Sequence, residues 1–288
     1  TMGIPVHVYS HDGPDVTTID GNSAGSVWTI STGEARDTIV EGFTIRGGAA
    51  GQGGGFYLDS SSPTIRGNII EWNEATEPLG IGGAIRTFFG DPLVEDNIIR
   101  DNDACFGGPE EGCDGGAMMI RSGAPEILGN IFEGNSAGDG GAIWMAYADA
   151  LVAQNVFHDN HAHDTDVTQA GQGGAIDVQV STADSYILNN LVVDNSASTH
   201  GGGIAIYEHV DGYGEATVAH NVIAWNEVTE TDFGAGLLAW SATAPRLEGN
   251  LIYGNTGPGV YLNAGADFAY NLVHGNTTAY AGDQGDLM

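Results

Sequence analysis

The chain has no lysine. Seven arginines face 38 acidic residues over 288 positions, for a formal charge of −31. A polyanion of this kind repels nucleic acid and anionic membrane surfaces, so the charge argues against both as partners. No long apolar run is present, so a membrane-spanning helix is not expected, and the first residues do not read as a signal peptide. Cysteine is scarce: Cys105 and Cys113 alone, with seven residues between them. A structural zinc needs four ligands, so two sulfurs by themselves do not make one. They read either as a local disulfide, which fits an extracellular or cell-surface location, or as two thiols in a reducing compartment. Runs that favour helices are few, and glycine is abundant at 46 residues.

What is present is a repeat. An Asn recurs at 68, 97, 130, 155, 190, 221, 250 and 271, and a second Asn follows five positions later at 73, 102, 135, 160, 195, 226, 255 and 276. Apolar residues lie between the two. A Gly-rich apolar step then follows, as in Gly82-Gly83-Ala84-Ile85, Gly115-Gly116-Ala117-Met118, Gly140-Gly141-Ala142-Ile143 and Gly173-Gly174-Ala175-Ile176. Self-similarity at a period of about 20 to 35 residues is the mark of a solenoid. Each unit holds three short apolar runs split by Gly, Asn and Pro, which read as short strands. The expected fold is all-β: a parallel β-helix of about ten coils with three short strands each, forming one domain over residues 1–288 and a rod of roughly 45 to 50 Å. Neither end carries a recognisable cap, which suggests a piece of a longer chain and exposes end-to-end or lateral self-association as an outcome.

The repeated residues have a structural reading. Asn tolerates the left-handed backbone of a sharp corner and stacks into amide ladders. The paired Gly residues mark positive φ or close backbone approach. Function is therefore expected in what varies, chiefly the junction between the second Asn and the Gly pair. That junction is four residues after Asn135 but twelve after Asn102 and Asn160. Loops at one junction share a flank of the rod.

Three groups on or near that flank are candidates. Asp101, Asp103, Asp114 and Asp139 lie in neighbouring units, and carboxylates so stacked suit calcium, although no EF-hand or nonapeptide calcium repeat frames them. Asp101, Asp114 and Asp139 are also the candidate catalytic carboxylates if the chain cleaves a glycan. His158, His161 and His163 alternate with carboxylates, a set able to hold a transition metal or to remain a bare His-rich loop. Trp72 and Trp225 precede the second Asn of their units and offer ring faces to a sugar, with Trp144 and Trp240 on later strands; packing under a loop is the competing use.

The alternation of Gly-Gly-Ala-Ile with Phe-x-x-Asn, at Phe132-Glu133-Gly134-Asn135 and Phe157-His158-Asp159-Asn160, resembles the repeats of the polymorphic outer-membrane protein family. The stretch Ser61 to Ile70 is similar to the broad right-handed parallel β-helix repeat group of secreted proteins. The resemblance spans roughly residues 40 to 276 and implies a right-handed coil, which the crossover rule for parallel strands also favours. It further implies surface exposure and a role in adhesion. Most Asn motifs here carry Ile, Leu or Val in place of Phe, and no transporter barrel follows. The same coil carries lyases, hydrolases and epimerases. Two functions are thus expected to compete. One is an adhesive or glycan-binding rod whose partner is a glycan or surface receptor. The other is a polysaccharide-active enzyme with an acidic site on the loop face.

Overall fold

A computed structural model describes residues 4–76, 80–106, 113–163, 171–180, 183–208, 214–230, 233–240, 245–263 and 265–282. All the strands pair in parallel, and the sheets run lengthwise along a single solenoid. The unit around Asn130 shows one coil. Glu126–Leu128 lies in the first sheet and Ile131–Glu133 in the second. Ser136–Ala137 lies in the third and Ile143–Ala148 in the fourth, before Leu151–Ala153 re-enters the first sheet one coil on. The first, second and fourth sheets are ten strands deep and the third is seven. The expected three strands per coil therefore become four along much of the rod.

The short strands are stable because like residues stack. Ile65, Val94, Ile127, Val152 and Ile187 are register partners in the first sheet, and all are fully buried. In the second sheet Ile99, Phe132, Phe157 and Val192 do the same. The Phe132 and Phe157 rings stack with centroids 4.8 Å apart and planes 4° from parallel. Each such side chain contributes about 1.5–3 kcal/mol by leaving water. The third sheet is built on small residues: Ala75, Ala104, Ala137, Ala162 and Ala197 point inward and are buried. Their size lets two-residue strands pass close to the Gly pair.

Both Asn ladders are present, but the left-handed corner falls one residue earlier than expected. Asp96, Gln154, Asn189 and His220 have positive φ before Asn97, Asn155, Asn190 and Asn221. Trp72, Asp101, Asp159, Asp194 and Trp225 have it before Asn73, Asn102, Asn160, Asn195 and Asn226. The Asn residues themselves are buried and fully used. The Asn130 Nδ2 donates to the Val94 and Leu128 carbonyls and to Asn155 Oδ1, and Asn155 Oδ1 also takes the Asn130 backbone N–H. This closes the corner without leaving a buried donor unpaired.

The Gly pair divides its work. Gly82, Gly115, Gly140 and Gly173, the first of each pair, have positive φ. The second is held by close approach: a Cβ on Gly83, Gly116, Gly141 or Gly174 would lie 2.1–2.2 Å from the carbonyl oxygen of the matching Gly one coil on.

Candidate functional site

The corner after the second sheet carries Trp72 and Trp225. Both have positive φ, 52° and 57°, and both are more than half exposed. Their strands lie five steps apart in the second sheet, or about 24 Å. They share a column but do not form one platform. Trp225 packs edge-on to Tyr253, with ring centroids 6.3 Å apart.

The acidic candidates separate into three places. Asp101 sits at that same corner, exposed and with positive φ. Asp103 lies in the third sheet opposite Glu74 and Ser136. Burial and the Asp103 charge raise the Glu74 carboxyl above its ordinary range. Asp114 and Asp139 are brought together as partners in a parallel bridge just before the fourth sheet. The imidazoles also diverge. His158 Nε2 lies 3.7 Å from Asp194, His161 Nδ1 lies 2.8 Å from Ser196 Oγ, and His163 Nδ1 lies 3.3 Å from Ser136 Oγ. Among the described residues, no three His, Cys, Asp or Glu side chains are grouped as a metal ion requires. Cys113 is buried, and its carbonyl accepts the Gly138 and Asp139 backbone N–H groups. The Cys105 side chain, like Glu77, Glu110, Glu111, Asp164, Asp166 and Asp232 of the acidic loops, lies outside the described residues.

The outer face of the fourth sheet gathers the chemistry. Alternate residues of its strands fill the core; the others form two outward columns. One runs Arg86, Met119, Trp144, Asp177, Ala205, Leu238, Tyr261, and the other Phe88, Arg121, Ala146, Gln179, Tyr207, Trp240. A third column stands beside them at the residue before each positive-φ Gly. There Asp114 bridges to Asp139, Gln172 to His200 and His200 to Phe233, while the Asp139 carboxylate accepts the Gln172 backbone N–H at 3.0 Å.

At one end of this face five rings from three consecutive coils touch. His200 stacks on Phe233 at 4.8 Å, and Tyr207 meets His200 edge-on at 6.0 Å. Phe233 meets Tyr261 edge-on at 5.0 Å, and Trp240 stacks on Tyr261 at 6.0 Å with planes 8° from parallel. Trp240 is 42% exposed. Burial lowers the His200 pKa, which favours the neutral ring, and burial together with Asp177 and Asp139 raises the Tyr207 hydroxyl, which keeps its proton.

Next to the rings, toward the middle of the rod, lies Asp177. It is 1% exposed, and neither carboxyl oxygen makes a close hydrogen bond, the Gln179 side chain and the Val178 N–H being only weak donors to it; the indole N–H of its register partner Trp144 is likewise buried and unpartnered. Burial, then the charges of Asp139 and Asp114, push the Asp177 carboxyl well above the usual carboxylate range. The arginines are engaged elsewhere. Six pair with Asp20, Glu41, Asp59, Glu71, Glu126 and Glu248, and Arg121 lies over the Phe88 and Tyr147 rings. Sequence reading missed Asp177. Its signal is the break it makes in the column after Gly-Gly-Ala-Ile, where neighbouring coils carry Trp144 and Ala205.

The model of the right handed beta helix region matches residues 7–223. The chain belongs to the right-handed β-helix family. That match fixes the fold and its hand; it does not carry the finer likeness to the outer-membrane repeats. Neither a curated protein nor a solved structure matches this β-helix. No helix among the described residues is long and apolar enough to cross a membrane. The family includes both polysaccharide-active enzymes and surface proteins, so function is argued from the site.

Proposed function

We propose that this β-helix is a secreted or cell-surface rod that binds a neutral glycan along the outer face of its fourth sheet and acts in adhesion. The observation that carries the reading is the mutually packed set His200, Tyr207, Phe233, Trp240 and Tyr261. Flat rings suit a pyranose, which has an apolar face and a rim of hydroxyls. A charge of −31 disfavours polyanionic glycans. Trp240→Ala removes the most exposed ring of the set. On a glycan array and by titration calorimetry it is expected to weaken binding about tenfold, the equivalent of roughly 1–1.5 kcal/mol. Equal binding by wild type and variant would remove the site.

The second reading is a polysaccharide-active enzyme, favoured by the proton-holding environment of Asp177 beside the hydrogen-bonded Asp139. Asp114 and Asp139 stay in it as carboxylates beside Asp177, whereas Asp101 lies at the corner after the second sheet. A reducing-sugar assay on the glycans that bind separates the two readings: turnover supports the enzyme, and binding without product supports the rod.

The extracellular placement goes with a Cys105–Cys113 disulfide. A thiol titration of the unfolded chain is expected to count no free thiol, and two free thiols would remove this part of the proposal.

A further inference from the structure

We propose that Asp114, Asp139 and Asp177 together form the binding site of one hard divalent cation of the calcium class. The inference does not rest on glycan binding. Asp114 and Asp139 are bridge partners in adjacent coils. Asp139 reaches one coil further, because its carboxylate takes the Gln172 N–H. Gln172 precedes Gly173, whose Cβ position lies 2.7 Å from the Asp177 backbone nitrogen. The Asp139 carboxylate is thus tied to the turn that packs against the Asp177 backbone.

Asp177 supplies the independent observation. It is a fully buried carboxyl whose two oxygens make no close hydrogen bond, only weak contacts to the Gln179 side chain and the Val178 N–H, beside two further carboxylates and with every arginine committed elsewhere. A buried, unpaired carboxylate is unstable until it is protonated or meets a cation. Three carboxylates supply up to six oxygens, and calcium accepts six to eight in irregular geometry, which magnesium does not. Among the described residues the three side chains are not drawn in to ligand distance of one point. Like charges repel without an ion between them, and the three carboxylates must rotate together when one binds. Asp101 and Asp103 lie at the corner and in the third sheet, outside this group.

Trp144 makes the site directly readable. Its indole is the register partner of Asp177, so a terbium ion bound there is sensitised by indole excitation. Chelator-treated protein, in enough monovalent salt to screen the acidic surface, is melted with and without calcium and titrated with terbium. Wild type is expected to gain roughly 5 °C or more at a hundredfold excess of calcium over its Kd, and to show sensitised emission. Asp177→Asn and Asp139→Asn are expected to lose both effects. Trp144→Phe is expected to keep the calcium shift and lose the emission. Two results would overturn the proposal. One is a calcium shift of equal size in Asp177→Asn, which places the ion elsewhere on the surface. The other is no shift and no emission in wild type; a higher midpoint for Asp177→Asn would then show that Asp177 is simply a buried neutral acid.

Discussion

Gly141→Ala is expected to leave no folded protein, whereas Gly67→Ala keeps the fold and loses about 1–2 kcal/mol. The contrast follows from what a methyl group would meet. At Gly141 it would lie 2.2 Å from the Gly174 carbonyl oxygen and 2.6 and 2.7 Å from His161 backbone atoms. These atoms belong to the next coil and are held by parallel pairing: Ser136 and Ala137 with His161 and Ala162, and Ile143 with Ile176. Relief requires moving two coils apart along the whole stack, which costs well above the ~1–3 kcal/mol of ordinary overpacking. At Gly67 nothing lies within 4 Å, and only its φ of +60° resists a side chain. The Gly141 position also explains an exception. Ala235 stands two residues before Leu237 as Gly141 does before Ile143, in the coil where the third sheet ends with Glu227–Val228, beyond which only an isolated bridge from Glu227 to Thr256 continues it. Circular dichroism and soluble yield of the two variants check the prediction. A folded Gly141→Ala protein of near-native midpoint would show that the close approach is not required.

The second large effect is expected at Asn160→Ala, a loss of about 3–5 kcal/mol measured by urea unfolding. The Asn160 Oδ1 accepts both the backbone N–H and the Nδ2 of Asn135. Its own Nδ2 donates to the Phe132 and His158 carbonyls and to Asn195 Oδ1. Truncation strands the Asn135 donors in a buried site, and each orphaned buried group costs about 1–3 kcal/mol. Asn276, the last of that column, is only half-buried, and its Oδ1 serves the same donors on Asn255 at 2.8 Å. Water can replace it, so Asn276→Ala is expected to cost about 1 kcal/mol. Equal losses at both positions would mean that the ladder does not derive its strength from burial.

The stacking of coils was legible because the Asn and Gly steps recur at fixed offsets, and fixed offsets demand columns. Other features were not legible, for stated reasons. The third sheet was missed because strands such as Ser136–Ala137 and His161–Ala162 are two residues long and carry small side chains, without a β-branched signature. The left-handed corner was assigned to the Asn because Asn is the commonest non-glycine residue there. The chain mostly places Asp, Gln, His and even Trp in that conformation, with Asn189 the one Asn among these corners, and keeps the ladder Asn for hydrogen bonding inside. Near the candidate site, the places of Asp114 and Asp139 before the Gly pairs predict that they stack, and the two are bridge partners. Asp101 and Asp103 were grouped with them by proximity in sequence, but the corner and the third sheet carry them to other faces. Asp177 and the ring cluster stayed hidden because their contacts join residues from successive coils, and sequence alone does not show which column faces out. Trp72 and Trp225 were matched by motif position, which fixes a column and not a distance.

The coils stack in register at a constant rise, so that matching motif positions form straight columns. Spin labels at Ile131 and Leu272, both exposed and set five strands apart in one column of the second sheet, measure that directly. Pulsed dipolar spectroscopy is expected to give one narrow distribution centred near 24 Å between labelled backbones, five steps of about 4.8 Å. A broad distribution, or a mean beyond about 35 Å, would contradict a continuous in-register stack.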